Sequence, residues 1–268
     1  MEMITSKDGT NIAFDQNGQG PALILVGGSF EQRAMQSETS NLAAHPILQQ
    51  HFRVIHFDRR GRGDSTDNHP YAVEREVDDI DALISAVGGS AYISGISSGA
   101  ILAMEATIGL GSKVRKLAMY EPPFQYAGAN TGIILTEFRS QFTKAMAEGR
   151  RKDAVGHFLT MLGMPEEHLE NLHQLPMWSM WEDIAPTLGY DAGLLGEDGS
   201  IPTGRAARIA VPTLIMNGEA SFPTLATVAD TLAHAIPDAK RLTLKDQKHE
   251  VKAEVLAPVL VDFFNSIP

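Results

Sequence analysis

The chain is 268 residues long, contains no cysteine and carries a formal net charge of −11. With 43% hydrophobic residues, it can form one large α/β domain with an insertion, or two small domains. The lack of cysteine excludes disulfides, a thiolate nucleophile and cysteine-ligated metals, and the acidic balance argues against nucleic acid and anionic membranes as partners.

In chain order, Met3 to Thr5 and Asn11 to Phe14 pattern as a hairpin around Lys7-Asp8-Gly9. Pro21 to Val26 is a continuous apolar run, as expected of a strand buried on both faces, and it ends at Gly27-Gly28-Ser29. One or two helices, interrupted near Pro46, lead to a strand at Arg53 to Phe57. The polar turn Asp58-Arg59-Arg60-Gly61-Arg62-Gly63-Asp64-Ser65 follows, and its three arginines read as solvated, with Asp58 and Asp64 holding the turn. Val77, Ile80, Ile84 and Val87 mark one face of a helix. A short buried strand, Ala91 to Ser94, then runs into Gly95-Ile96-Ser97-Ser98-Gly99, with small and apolar residues at helical spacing as far as Leu110. Lys113 to Met119 is the next strand, closed by Tyr120-Glu121-Pro122-Pro123.

The alternation of strand and helix stops there. Ile134, Phe138, Phe142, Ala145 and Met146 form a helical stripe, with further helical spacing over Val155 to Met164 and Glu166 to Leu175, before Met177-Trp178-Ser179-Met180-Trp181. The β pattern resumes at Val211 to Met216, followed by a helix with Leu225, Val228, Leu232 and Ile236, a last strand at Arg241 to Leu244, and a closing helix. The expected fold is α/β, a mostly parallel sheet with helices on both faces. Residues 1–123 and 211–268 form this core and residues 124–210 a helical insertion.

A serine hydroxyl is a weak nucleophile unless a sharp strand-to-helix turn lifts it clear of the sheet, and such a turn needs glycine where side chains would collide. Ser97 has that setting and is the candidate nucleophile. Its base must take and return a proton near neutrality, which selects histidine. Of nine histidines, His249 lies in Lys245-Asp246-Gln247-Lys248-His249, between the last strand and the last helix. That loop opens at the carboxyl edge of the sheet, where ligands bind in open α/β folds. His45, His51, His56 and His69 fall in early elements, and His157, His168 and His173 in the insertion; these read as structural or pocket-lining. The spacing of His168 and His173 keeps them off one helix face, so no metal site is expected. No nucleotide-binding glycine motif follows a strand, and no cofactor is expected.

The order of elements, the serine elbow and the late histidine together resemble the α/β-hydrolase family, over nearly the whole chain. The likeness rests on Gly27-Gly28, Asp58 to Ser65, GISSGA and KDQKHE. It implies an eight-stranded core, a helical cap inserted after the sixth strand, and two backbone oxyanion donors, the amides of Ser29 and Ser98. Two departures stand out. Many members have His-Gly where this chain has Gly27-Gly28, a change expected to affect loop rigidity rather than mechanism. Many also place the triad acid three residues past a glycine after the seventh strand, and here Gly218-Glu219-Ala220-Ser221 puts a serine there. Glu121, after the sixth strand and rigidly set before Pro122-Pro123, is the candidate taken to orient His249; Glu219, two residues short of the usual position, and another acid, or none, are the alternatives.

The resemblance implies a serine hydrolase that cleaves a carboxylic ester, lactone or thioester of a small to medium apolar substrate through an acyl-enzyme. Carbon–carbon hydrolase, lyase or perhydrolase chemistry would use the same residues, and the serine at position 221 keeps a weakly active or purely binding role open. The expected setting is cytoplasmic, since MEMITSKDGT lacks the basic and apolar regions of a secretory signal and no run is long enough for a membrane helix. A small-molecule substrate is the expected partner, and a homodimer is left open.

Overall fold

The computed structural model describes residues 1–124 and 131–266. Its strands are β1 (Glu2–Thr5), β2 (Asn11–Asn17), β3 (Ala22–Val26), β4 (Arg53–Phe57), β5 (Ala91–Ile96), β6 (Val114–Tyr120), β7 (Thr213–Gly218) and β8 (Ala239–Leu244). They form one eight-stranded sheet in the order β1-β2-β4-β3-β5-β6-β7-β8. β1 and β2 make the expected antiparallel hairpin, β2 pairs antiparallel with β4, and every pairing from β4 to β8 is parallel.

β3 shows why the sheet is covered on both sides. All five of its residues are buried; Ala22, Ile24 and Val26 enter the core on one face, Leu23 and Leu25 the core on the other. Side chains alternate across a strand, so a run without a polar face demands cover on both. On the Leu23 face lie α1 (Glu38–Ala44), α2 (Pro46–His51) and α11 (Ala253–Asn265). Pro46 separates the first two, because it has no amide with which to continue α1 yet suits the first turn of α2. The other face carries α3 (Val73–Ala86), α4 (Ser98–Leu110) and α10 (Pro223–Ala235). α4 is buried on every side from Ser98 to Thr107, which is why its sequence has no polar stripe.

Between β6 and β7 the chain forms α5 (Thr131–Ala147), α6 (Arg151–Met161), α7 (Glu166–Leu172), α8 (Met177–Leu194) and the short α9 (Thr203–Ala206). Residues 125–130, at the start of the expected insertion, and 267–268 lie outside the described residues. Within the insertion the sequence reading assigns no helix beyond Leu175, whereas α8 runs 18 residues through Pro186. Packing of its buried residues, among them Ile184, Leu188 and Leu194, outweighs the local penalty of proline and glycine.

The turn after β4 departs furthest from expectation. Arg59, Arg60 and Arg62 are 3%, 0% and 2% exposed, so these arginines are not solvated. Arg60 grips Asp79 of α3 with two nitrogens at 2.8 and 2.7 Å. Arg59 grips Glu76 of the same helix at 2.7 Å through each of two nitrogens and donates to Asp191 of α8 at 2.6 Å. Arg62 donates to the other oxygen of Asp191 at 2.6 Å. A guanidinium tolerates burial only when its donors are matched to carboxylates, and those carboxylates come from helices remote in sequence. Burial by itself would raise the Asp191 carboxyl, but Arg62 and Arg59 outweigh it and hold the group below the usual carboxylate range.

Arg59→Met would leave Glu76 buried without its cation. The expected loss is about 3–5 kcal/mol of unfolding free energy, to be read from urea denaturation.

Candidate active site

Parallel strands end on one edge of the sheet. The chain passes from β3 to a neighbour on one side and returns to β5 on the other, so the loops after β3 and β5 flank the crevice where the strand order reverses. Register carries the alignment onward: Val26 pairs with Gly95, Ile96 with Tyr120, Tyr120 with Met216, and Gly218 with Leu244. Residues just past these ends therefore stand in a row along that edge.

Ser97 sits between β5 and α4 at φ 55°, ψ −128°, a conformation that costs a side-chain-bearing residue about 1–3 kcal/mol. Its amide donates to Tyr120 O at 2.9 Å. The turn is possible because α4 starts hard against β3: a Cβ at Gly99 would lie 2.2 Å from Val26 O. The imidazole has further to come, since β8 lies three strands from β5, roughly 14 Å at the usual strand spacing. The loop after β8 folds back across β7, pinned where Ala220 N donates to Gln247 O at 2.9 Å and the Tyr120 hydroxyl donates to Lys248 O. Only glycine fits beneath this crossing, because a Cβ at Gly218 would lie 2.2 Å from Gln247 O.

These constraints bring His249 Nε2 to 3.1 Å from Ser97 Oγ and His249 Nδ1 to 2.6 Å from Glu121 Oε2. An ionised carboxylate can only accept, so Nδ1 carries the proton and the Nε2 lone pair faces the serine hydroxyl. Glu121 is fully buried and is itself held by two donors, Gly218 N to Oε1 at 2.8 Å and Ser221 Oγ to Oε2 at 2.9 Å. Position 221, where the resemblance leads one to look for the acid, thus supplies a hydroxyl that orients Glu121. Glu219, the other candidate, is exposed and accepts from Asp246 N at 3.2 Å, away from the imidazole. Burial alone would lower the His249 pKa. The hydrogen bond and charge of Glu121, with Glu250 and Glu38 behind, outweigh burial and hold it above the ordinary 6.5.

The two expected oxyanion residues also meet: Ser29 Oγ lies 3.2 Å from Ser98 Oγ. The β3 loop is seated against the nucleophile, since a Cβ at Gly28 would lie 3.1 Å from Ser97 Cβ. Among the described residues, neither the Ser29 nor the Ser98 amide has a hydrogen-bond acceptor. Ser98 opens α4, so the unsatisfied amides and positive end of that helix face the site. Sequence reasoning missed Glu31, which accepts from Gly28 N at 2.8 Å and from Thr39 Oγ1 at 2.7 Å and stands beside Gly27, the position at which the resemblance leads one to look for a histidine. It also missed Asp191, whose signal was a lone carboxylate in the apolar stretch Ile184 to Leu195. Among the described residues no group of three His, Asp or Glu side chains could hold a metal ion, and no helix is long and apolar enough to cross a membrane.

Residues 22–254 match the profile of the Alpha/beta hydrolase family. The structure is similar to that of an alpha/beta hydrolase from Sphaerobacter thermophilus, with TM-score 0.86 and 42% identity over 98% of this chain and 100% of that one. It is also similar to an enol-lactonase from Burkholderia xenovorans, at TM-score 0.70 and 19% identity over 99% of this chain and 100% of that chain, a likeness of fold alone. A proline iminopeptidase of Pestalotiopsis fici is 33% identical over 102 residues, 37% of this chain and 35% of that protein. An uncharacterized hydrolase of Bacillus subtilis is 29% identical over 42% of each chain, so the matched stretch spans well under half of either curated relative.

Because a base must be neutral to accept a proton, a His249 pKa held above 6.5 moves the acid limb of kcat/KM above that value, with activity falling as pH drops through it. Glu121→Gln removes the largest charge that raises it and should shift the limb of the residual activity downward; Glu250→Gln should shift it the same way by less. Rate profiles over about pH 5–9 measure both.

Proposed function

The chain belongs to the alpha/beta hydrolase family, and on that premise we propose that it is a serine hydrolase cleaving a carboxylic ester, lactone or thioester through an acyl-enzyme. The observation that carries this reading is the unbroken hydrogen-bonded series Ser97–His249–Glu121 at the carboxyl edge of the sheet. Ser97 Oγ attacks the substrate carbonyl as its proton passes to His249 Nε2. The negative charge moves to the carbonyl oxygen, which the amides of Ser29 and Ser98 receive, and Glu121 stabilises the imidazolium. As the tetrahedral species collapses, His249 returns the proton to the leaving oxygen or sulfur. Water then repeats the sequence on the acyl-enzyme, with His249 again as base, and frees Ser97.

Residues 124–210 act in this reading as a cap over the pocket. Phe30, directly after Ser29, lies 4.7 Å from Trp181 and 5.4 Å edge-on from Phe158, both in the insertion. That aromatic wall beside the proposed oxyanion donors suits an apolar group on the substrate. A role limited to ligand binding would follow from an imidazole without a carboxylate. Glu121 at Nδ1 removes that motive.

A panel of aryl esters of rising acyl length, run on wild type and single variants, tests the proposal. Ser97→Ala and His249→Ala should lose about three to six orders of magnitude in kcat, Glu121→Gln about three to four, and Glu219→Gln should stay near wild type. An irreversible fluorophosphonate should label the wild type stoichiometrically and Ser97→Ala not at all. Labelling that survives Ser97→Ala would overturn the nucleophile, and a Glu219→Gln loss matching that expected for Glu121→Gln would overturn the acid.

A further inference from the structure

Arg62 Nη1 donates to Gly28 O at 2.7 Å. That carbonyl and the Ser29 N–H belong to one planar peptide unit, so whatever holds the carbonyl also aims the N–H on its opposite side. The guanidinium is held in turn, with Nε on Thr187 Oγ1 at 3.0 Å and Nη2 on Asp191 Oδ2 at 2.6 Å. The other carboxylate oxygen, Asp191 Oδ1, accepts from Ser98 Oγ at 2.7 Å. The single proton of the Ser98 hydroxyl is thereby committed, and the Ser29 hydroxyl donates to Ser98 Oγ.

We infer that Arg62 and Asp191 are positioning residues for the oxyanion cradle. One carboxylate on α8 fixes both amide donors, the Ser29 peptide through the Arg62 guanidinium and Ser98 through its hydroxyl. The charge-assisted bond to Gly28 O also polarises that peptide and makes the Ser29 N–H a stronger donor. Thr187 and Asp191 lie on α8, so the insertion shapes the oxyanion cradle from behind as well as covering the pocket. The inference rests on the serine-hydrolase reading and adds residues to that site. A merely structural cluster would tie α8 to the core without affecting the chemistry. Glu76 separates the two cases, because it bonds Arg59 on the far side of the cluster and does not touch Gly28 or Ser98.

The test compares wild type, Asp191→Asn, Arg62→Met, Ser98→Ala and Glu76→Gln. Five quantities are read: the second-order rate of fluorophosphonate labelling at Ser97, kcat and KM on an aryl ester, the pH profile, and Tm. Asp191→Asn and Arg62→Met should lower the labelling rate and kcat by about 10- to 100-fold, short of the about 100- to 1,000-fold for losing a donor outright, with KM within about threefold. Their acid limb should stay at the wild-type pH, since His249 and Glu121 lie outside the cluster. Glu76→Gln should lower Tm while kcat holds. Wild-type kcat in Asp191→Asn, or an equal loss in Glu76→Gln, overturns the inference. If Asp191→Asn does not fold, Ser98→Ala decides: it keeps the amide and removes only the hydroxyl link, so a loss of about 3- to 10-fold supports the inference and an unchanged rate overturns it. Absence of labelling in the wild type overturns the nucleophile reading and this inference together, whereas a labelled wild type with an unaffected Asp191→Asn overturns this inference alone.

Discussion

Parallel pairing from β3 through β8 is what brings residues 152 positions apart, Ser97 and His249, within hydrogen-bond distance. Each strand delivers its following loop to the same edge, and register decides which residue arrives beside which. Much of the surrounding structure accommodates that convergence. Both faces of β3 are buried because crossover helices must cover a parallel sheet on each side. α4 consists of small and apolar residues because it is enclosed between sheet and helices while its first turn presents the serine. At Gly99 and Gly218 the backbones approach too closely for any side chain.

The same edge explains how a carboxylate after β6 can meet the imidazole in place of one after β7. β6 and β7 are neighbours, so a carboxylate after β6 stands about one strand spacing, roughly 4.8 Å, from one after β7. Glu121 reaches the imidazole from there, and the β7 loop still contributes, through Gly218 N and Ser221 Oγ, the two donors that aim it. A fully buried carboxylate with three donors has its orientation fixed toward the His249 imidazole. The exposed Glu250 adds to the field that holds His249 above its ordinary pKa.

Behind the site lies a second polar unit of a different kind. Arg59, Arg62, Glu76 and Asp191 carry two positive and two negative charges, all buried, with each cation bonded to a carboxylate. A group of this kind is a weak source of net stability, because desolvation offsets most of the attraction, but it is intolerant of misplacement. It joins the turn after β4, the α3 face and α8 of the insertion in one geometry, and Arg62 extends it to the loop after β3. The opposite side of that loop is held by Glu31, so Gly28 is bonded through both its amide and its carbonyl.

What the sequence determined by itself was local. Apolar runs, helical periodicity and the Gly95-to-Gly99 turn identified the strands, the helices on both faces, and Ser97 and His249 as the pair to watch, because burial and turn geometry act over a few residues. Glu121 was legible as the first of two named candidate acids but not as a held one, for nothing in its neighbours reveals that Gly218 and Ser221 bond to it from 97 and 100 residues away. The arginines of Asp58 to Ser65 read as solvated because their partners, Glu76, Asp79 and Asp191, belong to other elements, and a charged turn looks the same in sequence whether water or a carboxylate faces it. Tertiary structure alone decided those pairings, since the free energy of a buried charge depends on what surrounds it in space rather than along the chain.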